Sequence, residues 1–427
     1  MASTYLTRTM SGGSATTTKF TFSAWVKRTG LSSNDGMQIL SVSNEYIYLG
    51  FFADTLRMEM HDSDNVRLRS NAVFRDTNAW YHVVFTFDST QSTASDRMKM
   101  WVNNEQITDF SHSTYPSLNY GSYIGGNTQH TLGRRENDDS DYFDGIISHA
   151  HLTVGYTYTP SAFGSTDSTT GEWKINTSPS VSYGNNGFFI LKDGNSVTDQ
   201  SGNSNNFTVG GGTLTKTEDC PSNVFATWNP LARFNGNFNF SNGNTSVSAP
   251  SGTWNGSIAT MGFNSGKWYW EAKFSGNADN QYIGVFDESA NPATNNPMNR
   301  TGTTAFYNYN GGEMIKDGSF TTADYGTITS SQTCGVAVDA DNNYISIYRD
   351  GVAIVTNYAL SSTKNLLFPF ISVYATTADY NFGNGYFGTT AVATNSGNGY
   401  AGAEGSSIFN YQPPTGYSAL STKGLNL

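Results

Sequence analysis

Charge is what this chain has little of. Lys, Arg, Asp and Glu make up only 13% of its 427 residues. No basic block or stripe is present, so a nucleic-acid groove is not expected, and the net charge of −11 points the same way. Cysteine is nearly missing. Cys220 and Cys334 stand far apart in different motif regions and make neither a metal-ligand pattern nor a disulfide framework, so free, buried thiols are expected. The opening MASTYLTRTM has no basic n-region and no apolar h-region, so no secretory signal is expected and synthesis is placed in a cytoplasm. The longest apolar stretch, around 366–375, falls well short of the roughly 20 residues a membrane helix needs, so no membrane insertion is expected. Histidine stops early: His61, His82, His112, His130, His149 and His151 all lie in the first 151 residues. That removes His-based catalysis from the second half.

Aromatics, at 14%, and glycine, at 44 residues, are abundant. Aromatic and β-branched residues suit pleated, half-buried surfaces, while Gly, Asn and Ser fill turns, so the chain reads as all-β with tight connections. Its length calls for two or three domains, since one core seldom grows past roughly 250–300 residues.

In the first part, KFTFSAWVKR (19–28) alternates, with Phe20, Phe22, Ala24 and Val26 on one face and Thr21, Ser23, Trp25 and Lys27 on the other. WYHVVFTFD (80–88) and a hairpin turning at Asn103-Asn104 follow, then YIGG (123–126) and YFDGIISHAHL (142–152). Short strands with polar turns at this spacing argue for a sandwich rather than a βαβ fold. The series resembles a laminin G or concanavalin A-like jelly roll over residues 1–158. Further on, SGKWYWEAKFSG (265–276), YIGVF (282–286), CGVAVDADNNYISIYRDGVAIV (334–355) and LLFPFISVYATTADYNFG (366–383) are alternating strands. The third holds a hairpin closed at Asp350-Gly351, residues that accept the positive φ of a type I′ turn. In content and order these segments resemble a SPRY domain over residues 234–390, a β-sandwich family used for binding and lacking catalytic residues. The expected fold class is therefore all-β, with two antiparallel β-sandwich (jelly-roll) domains.

Residues 159–233 hold too few apolar residues for a core of their own and are expected to form a strand-rich bridge packing on one of the sandwiches. Residues 391–427 read as a Gly-rich tail, with a turn at Pro413-Pro414 laying the last residues on a neighbouring surface. DQSGN (199–203) and PSNVFATWNPL (221–231), within the overall order, resemble proteins of tailed bacteriophages of marine bacteria and cyanobacteria. That resemblance implies a virion localisation, other virion proteins as partners, and a role as tail fibre, spike or head appendage with lectin-like recognition of a host surface glycan. The alternatives are a capsid-decoration or connector protein without glycan binding, and a polysaccharide depolymerase. No heptads or repetitive shaft are present, which favours a compact knob, and a homo-oligomer, a trimer among the options, is expected.

Sugar recognition needs aromatics that stack on pyranose faces beside amides that bond hydroxyls. Trp254, Tyr307, Asn308, Tyr309 and Asn310 supply that mixture. The acidic run offers Asp138, Asp139, Asp141 and Asp144 as oxygen ligands for Ca²⁺, the one candidate cofactor, against solvated loop charge as the blander alternative. Asp62 and Asp64 form a weaker calcium candidate or an Asx-rich turn. Concanavalin A-like folds also house glycosidases, but the closest string, Glu136 to Asp141, ends in Asp where Glu is wanted and lacks flanking apolar residues, so no catalytic residues are expected. His149 and His151, two apart on one strand face, are expected as a solvent-facing edge rather than a metal pair completed by Asp141 or Asp144. His82 is expected as a partly buried packing residue, and at least one face of the strand carrying Trp268 and Trp270 as core.

Overall fold

The computed structural model describes residues 3–427 apart from 32–35, 44–45, 62–65, 137–138, 193–195, 235–238, 251–252, 277–279, 288–300, 310, 362–364 and 393–398. The chain forms two compact units, 1–216 with 220–222, and 217–219 with 223–427. Helix among the described residues is confined to three-residue 3₁₀ turns such as Ala94–Asp96 and Pro160–Ala162.

The first unit packs two antiparallel sheets. The eight-stranded one runs in the order Phe110–Thr114, Val66–Val73, Thr55–His61, Tyr46–Phe52, Gly36–Val42, Gln129–Leu132, Tyr5–Thr9, Thr208–Gly211. The six-stranded one runs Phe188–Ile190, Gly145–Val154, Lys19–Arg28, Trp80–Asp88, Met98–Val102, Glu105–Gln106. Phe20, Phe22, Ala24 and Val26 enter the shared core with Phe85, Phe87, Leu49 and Met58. The Asn103-Asn104 turn has φ of 48° and 73°, as a type I′ hairpin requires.

Thr21, Ser23, Trp25 and Lys27, on the opposite face of Lys19–Arg28, are buried as well. The chain after Val154 folds back over that face. Tyr158 N–H donates to Thr21 Oγ1 (2.9 Å), Trp173 Nε1–H to His82 Nδ1 (3.0 Å), and the Tyr183 hydroxyl bonds His151 Nδ1 (3.0 Å). The segment 159–233 is thus shared out. Phe188–Ile190 and Thr208–Gly211 complete the first unit's sheets, whereas Trp228–Phe234 pairs with Asn255–Ala259 in the second. Asp199 of the DQSGN phrase organises a loop, accepting from the backbone N–H groups of Phe189, Ser201 and Asn205 and from the Ser201 hydroxyl.

The second unit also packs two sheets. A seven-stranded sheet runs Trp228–Phe234, Asn255–Ala259, Leu367–Val373, Gln281–Asp287, Thr303–Tyr307, Glu313–Lys316, Ser319–Phe320. Facing it, an eight-stranded sheet includes Thr376–Asn381, Lys267–Gly276, Thr333–Asp339, Tyr344–Arg349 and Val352–Ala359. Trp268, Trp270, Ile283, Val285, Val336 and Tyr380 fill the space between. Tyr269 points the other way and is also buried, under Phe225, Phe409 and Ala419. The C-terminal segment therefore lies on its own unit. Ser418–Ala419 pairs in parallel with Trp268 and Tyr269, and PSNVFATW grips the same segment through Ala226 N–H to Leu420 O (2.9 Å) and Thr422 N–H to Val224 O (2.9 Å).

Glu271 pins that segment from beneath. Its carboxyl accepts from the backbone N–H of Asn410 and of Tyr411 (2.8 Å each), the Tyr269 hydroxyl (3.2 Å) and the Asn381 amide (3.3 Å). Burial pushes its pKa up to about 7, overcoming those donors. Burial pushes His82 down to about 3 and His130 to about 4.

The two units should therefore answer pH in opposite senses. A buried carboxyl with a raised pKa contributes most below its ordinary value near 4.5, and that contribution is lost as pH rises through about 7. A histidine with a depressed pKa costs stability as pH falls below about 6.5, about 2 kcal/mol each at pH 5. Scanning calorimetry from pH 5 to pH 8 checks this. Glu271→Gln should flatten the pH dependence of the second unit's transition alone, and parallel slopes in both units would contradict the account.

Candidate binding site

The seven-stranded sheet of the second unit has two faces because side chains alternate along each strand. Ile283, Val285, Phe306 and Ile371 face the core, which turns Tyr282, Phe286, Tyr307 and Phe370 outward. Strand register then sets Tyr282 opposite Tyr307. Their rings stack with centroids 4.2 Å apart and planes 3° from parallel. Trp254 packs edge-on against Tyr282 (5.0 Å) and Tyr307 (6.1 Å), and Tyr374 packs against Trp254 (5.5 Å). On the far side Tyr307 meets Tyr309 at 5.3 Å and Phe320 at 5.7 Å. Tyr282 is buried, Trp254, Tyr307 and Tyr374 are half-buried, and Tyr309 and Phe320 are 37% and 45% exposed. The result is a continuous aromatic face whose outer members stand in solvent.

The rim of this face is fixed by hydrogen bonds. Asn308 is fully buried and clamps Ile328, donating from Nδ2 to its carbonyl (2.8 Å) and accepting its N–H at Oδ1 (2.7 Å). Asn308 is thus a loop staple, not a surface amide free for a sugar hydroxyl, a correction to the sequence reading; burying an amide obliges it to satisfy itself internally. Asn310 lies outside the described residues. Phe320 is presented by a tight turn at Asp317-Gly318, both at positive φ (51° and 78°). Burial raises the Tyr282 and Tyr307 pKa values, so both phenols stay protonated at neutral pH.

The acidic run of the first unit is spread over separate partners. Asp139 pairs with Arg134 (2.5 Å), Asp141 with Arg135 (3.3 Å), and Asp144 accepts from the Thr29 hydroxyl (3.2 Å) while burial raises its pKa. Glu136 is held by Gln129, Thr131 and Arg134. Asp138, Asp62 and Asp64 lie outside the described residues. Among the described residues no group of three or more His, Cys, Asp or Glu is placed to hold a metal ion.

His149 and His151 are buried, not solvent-facing. His149, at φ 49°, sits where the strand register shifts, and His151 stacks on Phe189 (3.9 Å). His82 is completely buried, stacked between Trp25 and Trp173. Its Nε2 lies 2.8 Å from Ser23 Oγ, the spacing of a nucleophile and its base. The third partner decides the chemistry. Trp173 can only donate, so His82 Nδ1 accepts and the ring proton sits on Nε2, where it cannot take one from Ser23. The pair is a structural bond in the core.

Each unit is thus a β-sandwich, the first with the outer face of its six-stranded sheet covered and the second displaying an aromatic surface on its seven-stranded sheet. Residues 2–153 match the family model of the concanavalin A-like lectin/glucanases superfamily, and residues 267–385 match that of the SPRY domain. The chain carries both domains. Among solved structures it is similar to the SPRY domain of human HERC1, with 15% identity, 36% of this chain and 96% of that chain covered, and a TM-score of 0.31. It is also similar to the TRIM65 PSpry domain, with 14% identity, 36% and 88% covered, and a TM-score of 0.31. No curated protein matches.

Of the residues singled out from the sequence, Trp254, Tyr307 and Tyr309 lie in this aromatic face, which also contains Tyr282, Phe320 and Tyr374, not singled out there. Alternation within YIGVF was the available signal for Tyr282, since Ile283 and Val285 claim the core face. Trp173→Phe should leave His82 Nδ1 without a donor and lower stability by about 1–3 kcal/mol, read by denaturant unfolding. Ser23→Ala should cost a comparable amount by leaving Nε2–H unbonded.

Proposed function

We propose that this chain is a non-enzymatic recognition protein that holds a glycan on the aromatic face of its SPRY unit, as an appendage of a tailed-phage virion. The aromatic face from Trp254 through Tyr307 to Tyr309 and Phe320 carries the reading. Rings with an apolar body and a polar tip present a flat surface to a pyranose face and a hydroxyl to its edge at little entropic cost. Solvent-standing rings of this kind on a rigid sheet mark an interaction site. The matches to a lectin/glucanase-type superfamily and to SPRY fit binding of carbohydrate or protein. The virion setting is supported by the resemblance of DQSGN and PSNVFATWNPL, both of which act in this fold as loop and tail staples.

Titration calorimetry of the full chain against host lipopolysaccharide and capsular polysaccharide tests the proposal. Saturable binding is expected, weakened tenfold or more by Tyr309→Ala with Phe320→Ala, while the melting temperature stays within a few degrees because both rings are partly solvated already. Absence of binding to any host glycan would overturn the reading in favour of a decoration or connector role.

A further inference from the structure

The outer face of the eight-stranded sheet in the first unit carries a second, chemically different surface. Strand register sets Arg57 directly opposite Arg69, and Arg69 opposite His112. Arg67, two residues before Arg69, lies on the same face about 7 Å along the strand. Like charges placed directly across a sheet repel and destabilise it. Here they are assembled on a chain whose net charge is −11. The protein offers only partial compensation. Glu59 is shared between Arg57 (3.2 Å) and Arg67. Both Arg57 (4.8 Å) and Arg69 (4.6 Å) lie within cation–π distance of the Phe52 ring, which ties the two guanidinium groups to one aromatic anchor. Arg69 donates Nε–H to Thr55 Oγ1 (2.9 Å), and among the described residues it has neither a carboxylate partner nor a hydrogen bond from its Nη donors. His112 at the sheet edge is exposed.

We propose that Arg67, Arg69 and His112, backed by Arg57, form a binding site for the anionic groups of an acidic polysaccharide, whether uronate carboxylates or sulfate esters. A guanidinium whose rigid fork is pre-set by stacking binds planar or tetrahedral oxyanions bidentately. Two arginines one pleat apart accept two such groups on one chain. A short cationic row suits a polysaccharide with spaced charges better than a nucleic acid, whose dense phosphates the acidic body of the protein repels. The site is independent of the aromatic face and stands or falls separately.

The full chain is titrated with polygalacturonate, dextran sulfate, neutral dextran and oligo-dT at low and moderate salt. Binding to polygalacturonate or dextran sulfate is expected, with whichever polymer binds identifying the anion, together with weakening at higher salt and no binding to dextran. Arg69→Gln and, separately, His112→Ala should each weaken binding several-fold, and Arg69→Lys should recover only part of it. His112→Ala guards against misfolding, since that side chain is already in solvent. Tyr309→Ala with Phe320→Ala should leave acidic-polymer binding intact. Failure to bind either acidic polymer, equal binding by the Arg69 and His112 variants, or preference for oligo-dT would overturn the proposal.

Discussion

Every sheet in this protein obeys one constraint: a strand has two sides, and a sandwich buries only one of them. Each of the four large sheets that build the two sandwiches must therefore do something with its second face. In the first unit, residues 158–183 close the outer side of the six-stranded sheet, with Phe163, Trp173 and Tyr183 packed on His82 and His151. In the second, the C-terminal segment closes the outer side of the sheet that carries Tyr269, held by the Glu271 carboxyl. The remaining two faces carry aromatic rings in one unit and arginines in the other. Covered faces consume chain length; open faces are where chemistry stays available to a partner.

The same constraint explains how much was legible in the sequence. The inward faces were readable, because Phe20, Phe22, Ala24 and Val26, or Trp268 and Trp270, repeat with the period of a pleat. Turn chemistry was readable too, as Asn103-Asn104 and Asp350-Gly351 both adopt the positive φ their residue types allow. The use of outward faces was not. Alternation put Thr21, Ser23 and Lys27 on the face opposite the core without saying what covers it, and a segment more than a hundred residues downstream buries them, a non-local event without a local signature. Three of the five proposed sugar contacts fall in one aromatic face. Asn308 instead turned inward, because a side chain's surroundings, and not its hydrogen-bonding capacity alone, decide whom it bonds.

Buried polar groups show a parallel economy. Ser23 and His82 stand at the distance of a catalytic pair, but the donor-only indole of Trp173 fixes the imidazole proton on Nε2, and complete burial disfavours its charged form. The described carboxylates of the acidic run, likewise, are distributed: Asp139 to Arg134, Asp141 to Arg135 and Asp144 to Thr29. Sequence suggested chemistry only for the acidic run and proximity in space only for Ser23 and His82, and in both places the further partners decide the role.

The pairing that closes the first unit has a mechanical consequence. Tyr5 lies opposite Gly211 at the margin of the eight-stranded sheet, and the Thr4 hydroxyl bonds Thr213 O (3.0 Å), so the chain enters and leaves through adjacent antiparallel strands. Tension applied across those two points acts perpendicular to the strands and loads their hydrogen bonds one after another, as in opening a zip, rather than all together in shear. The Thr208–Gly211 strand would peel first, and the sandwich behind it would feel force only after that seam had opened.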